Sequence, residues 1–310
     1  MLLQTAAMAA GSQQYPAGAL YVVGTPIGNL ADLTLRAIHV LQLADVVACE
    51  DTRMTQRLLQ HLGLSKRLVA VHEHNENEAA QGVVAALQGG QRVAYVSDAG
   101  TPGVSDPGAR LVRAVHAAGL RAVPIPGASA PVSALSVAGD AGAQGFTFAG
   151  FLPNKGGARR ESLARLADHS GAVVLFESPH RVLDLARDLA AQDAARLVTV
   201  GREITKQFEE VATVPAGQLP TWLGDEHRQR GEFVLVWHAR APESSDEALA
   251  AVLPEPLLAV LRPLSEQLPL KQAARLLSDL TGLPKGRLYD EALRWRQGQD
   301  QQDEGGDGAD

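Results

Sequence analysis

The sequence predicts an α/β fold: two α/β domains followed by a small helical C-terminal piece. Three observations carry that expectation. The length of 310 residues suits about two domains at roughly 150 residues each. Short Val-rich runs without strict polar alternation read as strands covered on both faces. These runs alternate with helical patterns, the mark of βαβ units and a mostly parallel sheet.

Residues 1–18 are uncharged and Ala-rich. They lack the basic start and long apolar core of a signal peptide, and a flexible N-terminal extension is expected. The first domain, 19–140, has strand candidates at 20–23, 46–49, 68–71, 93–97 and 122–125. Helix candidates are 33–43, 53–62, 76–88 and 109–118. A Gly/Ala/Asp stretch at 139–145 marks the boundary. The second domain, 145–238, has strands expected at 146–149, 173–176, 197–200, 209–214 and 233–238, the last two readable as antiparallel. Its helices are expected at 159–167 and 182–190. Residues 239–247 read as a polar linker. Residues 248–296 carry helical patterns at 257–261, 270–280 and 284–295, with the turn Thr281-Gly-Leu-Pro284 giving a helix–turn–helix outline. The tail 297–310 holds five acids and no base and reads as disordered.

Composition narrows the function. Hydrophobic residues make up 45 %, enough for a sizeable core, and aromatics only 4 %, against an aromatic-stacking module as the main device. The single cysteine, Cys49, excludes a disulfide framework and Cys-rich metal sites, and points to a reducing compartment. The net charge is −7, but without the tail 28 bases face 30 acids, so the body is close to neutral. No run of 18 apolar residues predicts a membrane span. A cytoplasmic protein is the expectation.

Three Gly-rich loops follow strands of the first domain: Gly24-Thr-Pro-Ile-Gly-Asn-Leu30, Ser97-Asp-Ala-Gly-Thr-Pro-Gly-Val-Ser-Asp-Pro-Gly108 and Pro124-Ile-Pro-Gly-Ala-Ser-Ala-Pro131. Open parallel sheets bind ligands at the carboxyl ends of their strands. The loops contain no Lys or Arg and match neither the dinucleotide nor the P-loop pattern. Asp98 and Asp106 oppose a polyphosphate and favour a ligand with cationic and hydroxyl groups. S-adenosylmethionine fits that pattern better than NAD or ATP. His72-Glu-His74 has no convincing third metal ligand, Gly127-Ala-Ser129-Ala-Pro131 reads as a ligand loop rather than a nucleophile elbow, and Cys49 reads as core. No metal is expected.

Bases gather in the second domain: Lys155, Arg159, Arg160 and Arg165, then His180-Arg181 and Arg202-Glu-Ile-Thr-Lys206. They read either as salt-bridged surface or as an anion-binding face for a nucleic-acid backbone. Residues 271–296 hold six bases against three acids, so the C-terminal helices, with Lys285 and Arg287, read either as an RNA-contacting element or as a cap on the body.

From about residue 20 to 295 the chain closely resembles the ribosomal small-subunit RNA 2′-O-methyltransferase I family of the tetrapyrrole methylase superfamily. The three loops carry the resemblance. So do Cys49-Glu-Asp-Thr-Arg53, Phe148-Ala-Gly-Phe-Leu-Pro-Asn-Lys155, Phe176-Glu-Ser-Pro-His-Arg181 and Gly201-Arg-Glu-Ile-Thr-Lys206. It implies two α/β domains of tetrapyrrole-methylase type with the cofactor cleft between them, usually as a homodimer. It also implies methyl transfer from S-adenosyl-L-methionine to the ribose 2′-oxygen of a cytidine in the decoding region of 16S ribosomal RNA. Cofactor contacts are expected from Pro26, Asp98, Thr101, Ser129, Ala130 and Phe176. Lys155, Glu177, Arg202, Glu203 and Lys206 are the catalytic candidates, Glu203 and Lys206 first. Arg159, Arg160, His180, Arg181, Lys285 and Arg287 are expected on RNA. The rival classes are a tetrapyrrole carbon methyltransferase and a non-enzymatic RNA-binding ribosome factor.

Overall fold

A computed structural model describes residues 1–240, 253 and 255–303, with side chains to residue 296. The chain forms two compact units, Met1–Arg240 and Ala241–Asp310.

The larger unit opens with helix α1 (Leu2–Ala10), where the sequence suggested a flexible extension. Alanine is the best helix former, and small side chains let α1 approach α2 (Leu35–Leu43) closely, so that Ala6 is fully buried. The segment is also tied down. Tyr21 Oη donates to the Pro16 carbonyl at 2.8 Å and Arg92 Nε to the Tyr15 carbonyl at 2.9 Å. Its uniform Ala composition hid the amphipathic period that would have announced it.

The first sheet comprises β1 (Ala19–Val23), β2 (Val46–Cys49), β3 (Arg67–Ala70), β4 (Val93–Val96) and β5 (Arg121–Ile125). All are parallel, in the order β3-β2-β4-β1-β5. Helices α3 (Thr52–His61), α4 (Glu76–Gln88) and α5 (Ala109–Ala117) complete its βαβ units. One core cluster joins Tyr21, Val23, Val47 and Cys49 to α2; another joins Leu20, Tyr95 and Val93 to α4 and α5. Cys49 is core, and burial pushes its thiol up. Because β4, β1 and β5 are neighbours, the three Gly-rich loops emerge side by side.

A further helix, α6 (Ala130–Ala138), follows the third loop. The Ala/Ser/Val run Ala130–Ala138 gave no periodic signal, and no helix was expected there. The second sheet has β6 (Phe146–Phe151), β7 (Ala172–Glu177), β8 (Leu197–Arg202), β9 (Glu210–Pro215) and β10 (Phe233–Trp237). Its order is β6-β7-β10-β8-β9. The last strand lies in the centre, antiparallel to β7 and β8, and β9 runs antiparallel to β8. Helices α7 (Gly156–Ala167), α8 (Val182–Gln192) and the single turn α9 (Leu219–Trp222) cover one face around Leu163, Leu185 and Trp237. The other face packs Val174, Val234 and Val236 against α6. Ala239, assigned to the linker by composition, is buried and donates its amide to Asp140 at 2.6 Å.

The smaller unit has α10 (Glu255–Gln267), α11 (Leu270–Thr281) and α12 (Lys285–Asp303). They enclose Leu258, Leu261, Leu277 and Leu288. Gly282, at φ 73°, ends α11 in the left-handed region that glycine tolerates. The expected linker from residue 241 and the end of the tail lie outside the described residues. The tail's first part, 297–303, is helical rather than disordered.

Candidate active site

A cavity of about 360 Å³ lies between the two sheets of the larger unit, within the range of roughly 300–1,000 Å³ usual for ligand sites. Its floor is a seam of backbone contacts. Thr25 and Gly100 exchange amide hydrogen bonds at 2.8 and 3.1 Å, joining the first loop to the second. Thr101 Oγ1 donates to the Ala128 carbonyl at 3.2 Å, joining the second to the third. Gly24 and Gly127 approach so closely that a Cβ on Gly24 would lie 2.8 Å from Gly127 Cα. The far end of the second loop is pinned by Glu76. Its Oε1 accepts from the amides of Gly108, Arg110 and Leu111 at 2.8–3.1 Å, capping α5 with a negative charge at its positive end.

Of the expected cofactor residues, Thr101, Ser129, Ala130 and Phe176 line the cavity. Pro26 and Asp98 flank it, next to the lining residues Ile27 and Ala99. Asp98 Oδ1 accepts from the Asp51 amide at 3.0 Å. The carboxylate in the lining from this loop is Asp106. Burial pushes its carboxyl above the usual range, and Asp98 adds to the shift against a hydrogen bond from Ser97. Glu177 and Glu232 also line the cavity, and no Lys or Arg does so among the described residues. An acid-lined, cation-free pocket fits a ligand carrying ammonium, sulfonium and hydroxyl groups, and the residues present therefore suit S-adenosylmethionine.

The second sheet supplies the opposite wall. Glu177 is fully buried at its side chain and lies 3.1 Å from Arg181 Nη2. Glu203 Oε1 accepts from Lys206 Nζ and from the Glu232 amide, both at 2.9 Å. Lys206 Nζ also meets Glu232 Oε2 at 3.1 Å. Burial pulls the Lys206 ammonium down, but these carboxylates outweigh it and leave it above its ordinary value. For Glu203 burial acts upward, and the hydrogen bonds from Lys206 and the Glu232 amide hold the carboxyl below its ordinary value. The stem of Lys206 crosses the first loop, where a Cβ on Gly28 would strike its Cγ at 2.4 Å. Among the described residues the non-glycine residues with positive φ are Ser105, Glu203 and Thr205. They sit on loops at the cavity, where such strain is stored at functional sites.

Several expected RNA contacts are spent inside the protein. Arg159 is 6 % exposed and bonded to Asp188 at 2.6 Å, which removes it from an RNA-facing surface. Arg181 is turned inward to Glu177, the Leu152 carbonyl and Asn154. Arg202, a catalytic candidate, braces the carbonyls of Arg230 and Phe208 and so holds the β8–β9 loop. A charge count cannot see such internal partners. Lys155, Arg160 and His180 are exposed near this wall. Lys285 and Arg287 stand on α12 of the smaller unit, Lys285 exposed and Arg287 half-buried. The sequence motifs single out neither Ser105, Phe151 nor Glu232, and they give Asp106 only as a charge of its loop. Asp106 was visible in its loop, but Glu232 reaches the cavity only because β10 inserts between β7 and β8. His72 and His74 stack edge to face at 6.1 Å, and no three-residue metal-ligating group occurs among the described residues.

The tetrapyrrole (corrin/porphyrin) methylase model matches residues 19–220, and a model of the RsmI C-terminal HTH domain matches 250–296. A ribosomal RNA small subunit methyltransferase I of Escherichia coli O157:H7 is 45 % identical over 89 % of this chain and 95 % of its own length. The chain belongs to the small-subunit ribosomal RNA methyltransferase I family, within the tetrapyrrole methylases. A relative of the same name from Neisseria meningitidis serogroup A is 47 % identical over 90 % of this chain and 94 % of its own. The uroporphyrin-III C-methyltransferase of Thermus thermophilus, solved with S-adenyl homocysteine, shares the fold at a TM-score of 0.50. It is 19 % identical and covers 70 % of this chain and 96 % of its own.

Proposed function

We propose that this protein methylates the ribose 2′-oxygen of a cytidine in the decoding region of 16S ribosomal RNA, using S-adenosylmethionine. The observation that carries the reading is the division of charge: an acid-lined, cation-free cavity, with Lys155 exposed outside it beside Arg160, which also meets Asp188 at 3.7 Å. A tetrapyrrole carbon methyltransferase would not need the outer cations. A non-enzymatic factor would not need the closely fitted loops.

Thr101, Ser129, Ala130 and Phe176 would hold the cofactor, flanked by Pro26 and Asp98. The bound group supplies a methyl on a sulfonium. The chain's task is then to orient the hydroxyl for in-line attack and to manage its proton. Lys206, kept as an ammonium by Glu203 and Glu232, is suited to donate a hydrogen bond to the 2′-oxygen rather than to take its proton. Glu203, held below its ordinary pKa, positions Lys206 and is a weak base. Glu177 is the catalytic candidate that lines the cavity, where Glu232 joins it.

The smaller unit, with Lys285 and Arg287, adds phosphate contacts that raise affinity without reading sequence. Val132, Leu135 and Phe146 line an apolar groove on the larger unit, suited to a second copy in a homodimer, and Phe146→Glu should then give monomers by light scattering. No described helix is long and apolar enough to cross a membrane, consistent with a cytoplasmic enzyme. The deciding experiment incubates small-subunit particles with labelled cofactor and maps the product by nucleotide. Label at a cytidine 2′-oxygen supports the reading; label on a base, or none, sinks it.

A further inference from the structure

We propose that Phe151 is the stacking platform for the base of the target nucleotide. The inference rests on the RNA reading above. The sequence alternation of β6 would send Phe151 to the same face as Ala149, which packs into the helix-covered core. It does not go there, because the ladder shifts between Phe148 and Gly150. Phe148 pairs with Val174, Gly150 with Leu175, and Phe151 with Phe176. The extra residue puts Phe148 and Phe151 on the same face, toward the cavity, and bulges re-aim side chains in this way beside active sites. Gly150 makes the bulge feasible, at φ 63° and with only 3.0 Å between a would-be Cβ and Ser105 Oγ.

The ring so placed lines the cavity and is 57 % exposed, so that one of its faces stays open to a ligand. It is rigid. Phe176 braces it at 5.6 Å between centroids, and Phe148 braces Phe176 at 5.0 Å. The residues that follow are held by Arg181 through the Leu152 carbonyl and Asn154. A preorganised aromatic face keeps the ordering cost of binding low. The exposed Lys155 and Arg160 lie just beyond on the same segment, where they can meet neighbouring phosphates. A ribose entering this cleft must bring its base out of the RNA stack, and an exposed aromatic face recovers that loss. Phe176, half-buried and deeper, is left for the cofactor.

The test uses the full chain and small-subunit particles, with Phe151→Ala, Phe151→Leu and Phe151→Trp. Phe151→Ala is expected to raise KM for the particle about 5- to 150-fold, the worth of one base–aromatic stack. Phe151→Leu keeps apolar bulk without a π face and should fail likewise, while Phe151→Trp restores KM. The melting temperature and the calorimetric affinity for S-adenosylhomocysteine should stay at wild-type values in all three. Unchanged KM in Phe151→Leu overturns the proposal. A parallel loss of S-adenosylhomocysteine affinity also overturns it, by making Phe151 a wall of the cofactor site. If the wild type methylates no ribosomal RNA, the functional reading fails and the stacking role falls with it, a result distinct from the other two.

Discussion

The two walls of the cavity are built by different means. The first sheet holds its loops mainly by contacts onto backbone: the Thr25–Gly100 pair, the Gly24–Gly127 approach, the Thr101 hydroxyl on the Ala128 carbonyl and the Glu76 carboxylate on the amides of Gly108, Arg110 and Leu111. The second sheet holds its loops through charged side chains: Arg181 with Glu177, Lys206 with Glu203 and Glu232, and Arg228 with Glu210 at 2.9 Å. A backbone seam tolerates no added atom but is indifferent to salt. An ion-pair wall tolerates shape changes but not the loss of one partner. The wall of Gly-rich loops is thus fixed by sterics, and the wall that carries Phe151, Phe176 and Lys155 is held by charges.

The sharpest break in this comparison is on the charged wall. Arg181→Ala strands Glu177, whose side chain is fully buried. Removing one partner of a buried pair costs about 3–5 kcal/mol, read by denaturant melts. Arg181 also holds the 152–154 segment, next to Lys155, so particle affinity should fall with stability. Adding Glu177→Gln should recover much of the stability, because no buried charge then remains. If Arg181→Ala unfolds at the wild-type midpoint, the ion pair does not hold the wall.

The backbone wall should break by a single methyl. Gly24→Ala places a Cβ 2.8 Å from Gly127 Cα and 2.9 Å from its nitrogen, and neither backbone atom can step aside. Overpacking of this kind costs about 1–3 kcal/mol. The loss of cofactor affinity should exceed the loss of stability, because the first and third loops separate at the pocket floor. Gly82 on α4 is the control: a Cβ there meets nothing within 4 Å, and Gly82→Ala should stabilise by about 0.5–1 kcal/mol. Wild-type calorimetry for Gly24→Ala would show that the seam is not part of the site.

The same contrast explains what was legible in the sequence. The backbone wall announces itself, because close approach demands glycine and the three loops therefore stand out at strand ends. The charged wall does not. Arg159, Arg181 and Arg202 looked like an RNA-facing surface, and only the fold reveals Asp188, Glu177 and the Arg230 carbonyl as their partners. Both α/β layers could be read from Val-rich runs, but β10 in the centre of its sheet could not, since local pattern carries no strand order. Helices α1 and α6 escaped because Ala-rich faces leave little contrast between buried and exposed positions. The Phe148–Gly150 bulge escaped because one inserted residue changes the facing of Phe151 without changing the composition of β6.

The mildest effect should come from Asp106, the acid of the backbone wall. Its carboxyl is raised chiefly by burial and further by Asp98, so the folded state holds this proton more tightly than the unfolded chain. Above the raised pKa the carboxylate charge counts against folding; as pH falls through that value toward 3.8 the side chain protonates in the folded state and the penalty is relieved. Asp106→Asn should therefore raise the melting temperature at neutral pH. The gap to wild type should close as pH is lowered through the raised pKa, because the two side chains are then both neutral. Cofactor affinity should move the other way, since the variant removes a negative charge from a pocket suited to a cationic ligand. A variant that is more stable at pH 7 yet binds S-adenosylmethionine more weakly would show that this charge is kept for the ligand. Unchanged affinity would leave Asp106 as part of the loop alone, and a lower melting temperature at pH 7 would mean that its hydrogen bond from Ser97 outweighs its desolvation.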